Sequence, residues 1–149
     1  MKIVLCRQGF SVIQKMLQGL LPDDEIVCCG PEEITTVGKD ADVLIPAITP
    51  LGAAELSLPR LKLVQQFGAG LDAVDIPAAS KNGVYVANVP AAGTGNAESV
   101  AEVAVMLMLT LARQFPKAQQ NIRDGVVAGP TGWSLKGRTA LIVGYGGIG

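Results

Sequence analysis

The stretch Thr139-Ala-Leu-Ile-Val-Gly144-Tyr-Gly146-Gly-Ile-Gly149 reads as an apolar strand running into G-x-G-x-x-G. Glycines at this spacing let a tight turn follow the strand, so that backbone N–H groups and a helix N-terminus point at a pyrophosphate. Gly144, Gly146 and Gly149 are therefore candidate dinucleotide-binding positions. The helix that completes such a motif, and the acidic residue about twenty positions on that holds the ribose, would lie after Gly149. The chain is therefore expected to be the front part of a longer enzyme.

A second glycine turn lies upstream, in Leu63-Val-Gln-Gln-Phe67-Gly-Ala-Gly-Leu-Asp72-Ala-Val-Asp75. Ligands of parallel α/β sheets bind outside the carboxyl ends of the strands. Gly68 and Gly70 would let the backbone approach a ligand without Cβ clashes, and consecutive N–H groups in such a turn form a concave anion site. A tight turn needing positive φ and no ligand accounts for the same glycines equally well.

Composition excludes several classes. Net charge is −1 and no Lys/Arg block is present, which argues against a nucleic-acid partner. The apolar run Val103–Leu109 is too short to span a bilayer, and the N-terminal residues read as a strand rather than a signal peptide. Cys6, Cys28 and Cys29 make no disulfide framework, and without any histidine or a second spaced cysteine pair they make no zinc site. No metal is expected. Buried thiols in a reducing cytoplasm are the expectation.

These glycine turns need strands and helices to hold them. The pattern predicts strands over Lys2–Cys6, Glu25–Cys29, Val43–Ile45, Leu63–Phe67, Val84–Ala87 and Thr139–Val143. It predicts helices over Ser11–Leu20, part of Pro31–Val37, Ala53–Leu58, Pro77–Lys81, Ala97–Arg113 and Pro116–Asp124. Such alternation implies an α/β fold: a flavodoxin-like parallel sheet with helices on both faces, then a crossing helix and the first strand of a partial Rossmann domain. Asn96 is a candidate N-cap, with Glu98 in the first turn. The helix after it is apolar on nearly every face, so it must be covered by a second domain, a second subunit or both. The domain boundary is placed before it, giving 1–96 and 97–149.

Two further segments join the glycine turns: Gly83-Val-Tyr-Val-Ala-Asn88-Val-Pro90 and Asn96-Ala-Glu-Ser99-Val-Ala-Glu102. In this order and spacing the four resemble the D-isomer-specific 2-hydroxyacid dehydrogenases, densely from residue 61 to 149. The resemblance implies a substrate-binding domain followed by the start of an NAD-binding domain. It implies that Ala69 and Gly70 hold the substrate carboxylate through backbone amides. Asn96 matches an asparagine that contacts small substrates in the formate dehydrogenase branch, its other reading being the helix cap. Val100 falls near the nicotinamide, and Gly144, Gly146 and Gly149 on the phosphates. Gly147 stands where the family more often has arginine.

The implied chemistry is hydride transfer between a nicotinamide and a small 2-hydroxy or 2-keto acid, with NAD or NADP as cofactor. The family's arginine, glutamate and histidine lie past residue 149, and this chain has no histidine. It is therefore expected to be inactive by itself and to bind little or no cofactor, and a homodimer or larger assembly through Ala97–Arg113 is expected. The alternative is a non-catalytic dimerising module. A phosphoryl receiver, of similar fold, needs acidic residues where this chain has Cys6-Arg7-Gln8 and Ile45-Pro46.

Overall fold

The computed structural model describes residues 1–149, which form two compact units, Met1–Pro90 and Ala91–Gly149. In the first, five strands lie side by side: β1 (Lys2–Leu5), β2 (Glu25–Cys28), β3 (Val43–Ile45), β4 (Leu63–Gln65) and β5 (Tyr85–Ala87). Their order is β2-β1-β3-β4-β5, and every pairing is parallel. Parallel neighbours cannot be joined by a hairpin, so each connection is a crossover. These carry α1 (Ser11–Leu20), α2 (Ile34–Val37, entered through a 3-10 turn over Pro31–Glu33), α3 (Ala53–Leu56) and α4 (Ile76–Lys81).

Side chains alternate across the sheet because successive Cβ atoms of a strand point to opposite faces. Ile3, Leu5, Ile26 and Ile45 face α1 and pack with Ile13 and Leu17. Val4, Leu44 and Val64 face the other side, with Ile34, Leu56 and Ala79. Both faces are therefore covered, as the strand–helix alternation implies. The cover is uneven: the register puts Leu63 and Tyr85 on the same face as Val43, yet Tyr85 remains 78% exposed.

Three strands end a residue or two earlier than the hydrophobic pattern predicts, but the hydrogen bonding runs on. Cys6 N–H still donates to Ile45 C=O, Cys29 N–H to Leu5 C=O and Gln66 N–H to Ala87 C=O. At the amino end of the sheet Asp42 gathers several segments. It accepts from the Lys2 N–H at 2.9 Å and from the Arg60 guanidinium at 3.0 Å, while its own C=O accepts from Lys62 and Leu63.

The second unit holds α5 (Asn96–Ala112) and α6 (Phe115–Arg123). Two sequence expectations fail here. Asn96 is not the N-cap. Gly95 is, with φ +77°, and Asn96 is the first helical residue, with no side-chain capping bond. A left-handed cap favours glycine over asparagine. Ser99 Oγ instead donates to Gly95 C=O at 2.7 Å. The expected strand over Thr139–Val143 is also absent. A strand exists through ladder bonds to a neighbour, and residues 91–149 contain no other strand to pair with. Leu141 and Val143 are correspondingly exposed.

The Asp42 contacts set a pH dependence. The Lys2 N–H first, then Arg60, hold the Asp42 carboxyl below its ordinary value of 3.8. A carboxylate depressed on folding contributes stability above its unfolded pKa and loses it as pH falls through the folded one. Urea unfolding should therefore show stability falling as pH drops below 3.8. Asp42→Asn should lower stability near neutrality and make that acid loss shallower. An unchanged acid profile in the variant would remove Asp42 from this role.

Candidate functional site

β1 has β2 on one side and β3 on the other, so the strand order reverses between β1 and β3. In an open parallel sheet the crevice for a ligand opens at that reversal, outside the carboxyl ends. A cavity of about 500 Å³ lies there. Its wall is made by Arg7 and Phe10 after β1, Ala47 and Ile48 after β3, and Gln66, Phe67, Gly68, Gly70, Asp72 and Ala73 after β4.

The turn after β4 is braced from within. Gln66 is buried, and its side-chain amide spans the turn: Nε2 donates to Gly70 C=O at 2.7 Å, and Oε1 accepts from Phe67 N–H at 2.9 Å. Asn88 Nδ2 donates to Ala69 C=O at 2.7 Å, and Val89 N–H to Gly68 C=O at 2.9 Å. The carbonyls of Gly68, Ala69 and Gly70 are thus all tied back into the protein. The N–H groups of these three residues have no partner within the chain. Acceptors tied back and donors left unpaired are the arrangement a backbone anion site requires.

Gly68 does not have a positive φ, and a Cβ built on it would meet nothing within 4 Å. Neither conformation nor internal packing requires glycine there. A positive φ is therefore not what calls for glycine at this position, and the space beside it is open.

The opposite wall is held under strain. Ala47 has φ +55°, a region costing a non-glycine residue about 1–3 kcal/mol. Thr49 fixes it, donating its N–H to Pro46 C=O at 2.9 Å and its hydroxyl to Cys6 C=O at 2.7 Å. This ties the exit of β3 to that of β1. A bridge between Leu51 and Val74 then joins the β3 exit to the segment carrying Asp72 and Ala73. Beneath the cavity, burial pushes the Cys6 thiol up to about 12, with the nearby Cys29 adding to the shift. It is a packing residue and no nucleophile. No group of Cys, Asp and Glu side chains is placed to hold a metal.

In the second unit Val100, Gly144 and Gly149 line one apolar groove of about 530 Å³, together with Met108 and Leu141. Gly146 is not part of it. Gly144 has φ +90°, and a Cβ on Gly149 would collide with the Gly144 carbonyl oxygen. The glycine turn is thus closed on itself although the segment before it forms no strand. A Cβ on Gly146 would meet nothing within 4 Å, so its face of the turn is open. Asn96 lies exposed at the start of α5.

Residues 10–136 match the family model described as D-isomer specific 2-hydroxyacid dehydrogenase, catalytic domain. The chain belongs to this family. A glyoxylate reductase of Thermofilum pendens is 36% identical over 98% of the chain, which spans 44% of that relative. A D-3-phosphoglycerate dehydrogenase of Mycobacterium tuberculosis is 38% identical over 86% of the chain, and 23% of the relative is covered. Among solved structures, NAD-dependent formate dehydrogenase from Staphylococcus aureus in complex with NAD aligns with TM-score 0.63 and 28% identity, covering 91% of this chain and 42% of that one. Salmonella D-lactate dehydrogenase, at TM-score 0.72 and 24% identity over 99% of this chain and 47% of that one, shares the fold. The chain thus spans less than half the length of these dehydrogenases.

Of the residues marked in the sequence, Gly70 lines the first cavity and Ala69 lies in its braced turn. Arg7, Phe10, Ala47 and Gln66 were not marked. Arg7 and Ala47 follow strands whose exits flank the reversal, a signal available once the strand order is known. Gln66 carries no such signal, because a glutamine at a strand end reads as surface. Replacing it tests the bracing. Gln66→Leu leaves Gly70 C=O and Phe67 N–H unpaired, and should cost about 1–3 kcal/mol in denaturant unfolding. Hydrogen exchange at Phe67 should quicken. Unaltered stability and exchange would contradict a bracing role.

Proposed function

We propose that this chain supplies the acid-binding part of an NAD(P)-dependent D-2-hydroxyacid dehydrogenase, which transfers hydride between a nicotinamide and a small 2-hydroxy or 2-keto acid. The observation that carries this is the turn at residues 68–70, with its carbonyls tied back and its N–H groups unpaired beside a cavity. The N–H groups of Ala69 and Gly70 take the substrate carboxylate. Asn96, which plays no part in capping α5, keeps the substrate contact that the family resemblance gives it.

The glycine turn of the second unit fits a dinucleotide. Gly144, Gly146 and Gly149 would hold its pyrophosphate, the open face at Gly146 admitting close approach. Val100 would lie against the nicotinamide. When bound, that ring supplies or accepts the hydride at the substrate's C2. This chain's own residues bind and orient; with no histidine among them, an imidazole of this chain does not move the proton. The domains are read as 1–96 for the acid and 97–149 for the start of the cofactor domain. No helix is long and apolar enough to cross a membrane, and three unpaired cysteines suit a reducing cytoplasm.

Backbone amide titration of the full chain with glycolate tests the acid site. The resonances of Gly68, Ala69 and Gly70 should move together and saturate. Gly68→Val should abolish the shifts while leaving the unfolding midpoint nearly unchanged, since its side chain would point into open space. Shifts spread over the surface, or undiminished in the variant, would overturn the assignment.

A specific observation also supports assembly. On α5, Val103, Met106, Leu109 and Leu111 are 48%, 55%, 48% and 70% exposed. Fully burying such a side chain is worth about 1.5–3 kcal/mol, and an apolar patch of this kind marks an interaction surface. The proposal is a homodimer through Ala97–Arg113, a role compatible with a non-catalytic module as well. Light scattering should give twice the chain mass, and Met106→Glu with Leu109→Glu should abolish the dimer. A stable monomer at high micromolar concentration would sink it.

A further inference from the structure

We propose that Arg7 binds the far end of the substrate, so that the site selects 2-hydroxy acids carrying a second negatively charged oxygen group. The inference rests on the acid-binding reading above. Two anion-binding devices open into one cavity. The first is the turn at residues 67–70. The second is the Arg7 guanidinium, supplied by a different strand exit.

Arg7 is held in place by aromatic packing. Its guanidinium carbon lies 5.6 Å from the centre of the Phe10 ring, and Phe10 packs tilted against Phe67 with 5.7 Å between ring centres. Phe67 belongs to the anion-binding turn, so the aromatic pair sets the cation in a defined position relative to the amides. A guanidinium stacked on a ring loses less freedom when it binds an oxyanion, and its planar fork matches a carboxylate or phosphate edge.

Beyond the Phe10 ring, Arg7 has no ion-pair partner within the protein. The chain's ion pairs join Met1 to Asp24, Lys2 to Glu25 and Asp40, and Arg60 to Asp42. Asp72 is the one carboxylate on the cavity wall, and it does not pair with Arg7. Its Oδ2 instead lies against the turn, 3.2 Å from where a Cβ on Gly70 would sit. The wall therefore carries one positive and one negative side chain. Arg7 offsets Asp72, and its five donors remain available to substrate oxygen. Arg7 is exposed, so an acid with an apolar far end leaves those donors to water and gains nothing from them. At about 500 Å³ the cavity has room beyond the turn for a longer acid.

The test is amide titration of the full chain with D-glycerate, D-malate and D-3-phosphoglycerate. These share a carboxylate and a C2 hydroxyl and differ at the far end: no charge, a carboxylate, or a phosphate. All three should move the Gly68–Gly70 amides, and the two acids with a charged far end should bind roughly 10-fold tighter than glycerate, as expected for one added charge-assisted hydrogen bond. Arg7→Gln should erase that preference while glycerate still binds, and Arg7→Lys should restore part of it. Asp72→Asn should tighten all three acids. The malate and phosphoglycerate arms tell whether carboxylate, phosphate or both are accepted. Equal affinities in the wild type, or a preference that survives Arg7→Gln, would overturn the role of Arg7 while leaving the acid site standing. Turn amides that respond to none of the three would overturn both.

Discussion

The parallel pairing of β1 with a neighbour on each side is the constraint on which the first unit depends. Because β2 and β3 flank β1, its connection returns through α1 on one face while α2 leads to β3 from the other. Chain leaving β1 and chain leaving β3 therefore part company, and a crevice opens between them. Everything at the cavity follows from this reversal. Arg7 and Phe10 arrive from one bank, Ala47 and Ile48 from the other, and the β4 turn closes the end. A different strand order would scatter these residues without changing any single element.

A crevice alone does not choose its ligand. Hydrogen bonding does so here, through the side on which each peptide group is satisfied. Gln66, Asn88 and Val89 supply donors to three consecutive carbonyls of the turn. The N–H groups of Gly68, Ala69 and Gly70, which carry those carbonyls, have no partner within the chain. Under the proposed reading they would attract an anion without carrying a formal charge. Dipoles held this way would need no reorganisation to meet a carboxylate.

Much of this was legible in the sequence where the cause is local. Ser11–Leu20 and Val43–Ile45 are read to the residue, since an amphipathic helix and a short buried strand announce themselves by periodicity. The glycine turn after β4 is legible as a ligand loop or a strained turn, and at Gly68 the φ is not positive, so strain is not what calls for glycine there. What failed depends on distant partners. Thr139–Val143 has the composition of a strand, but a strand is a relation between segments. Asn96 has the composition of a cap, yet Gly95, with φ +77°, takes that position. Gln66 acts through atoms four residues away across a turn, which no composition rule marks. Arg7 is ordinary as a residue type and gains meaning only from the two strand exits facing it.

The same contrast separates the two units. Residues 1–90 bury two hydrophobic layers against one sheet, and their side chains find partners within the unit. In residues 91–149 the large apolar side chains of α5 and of the segment before Gly144 remain exposed. The glycine turn nevertheless closes, because the approach of Gly149 to Gly144 depends on missing Cβ atoms and not on a neighbouring strand. Turn geometry written by glycine is local and forms wherever the glycines are. Strand and helix burial is cooperative and waits for a surface to bury against. A glycine turn of this kind can therefore form where no strand precedes it, while the apolar side chains of α5 and Leu141 stay exposed.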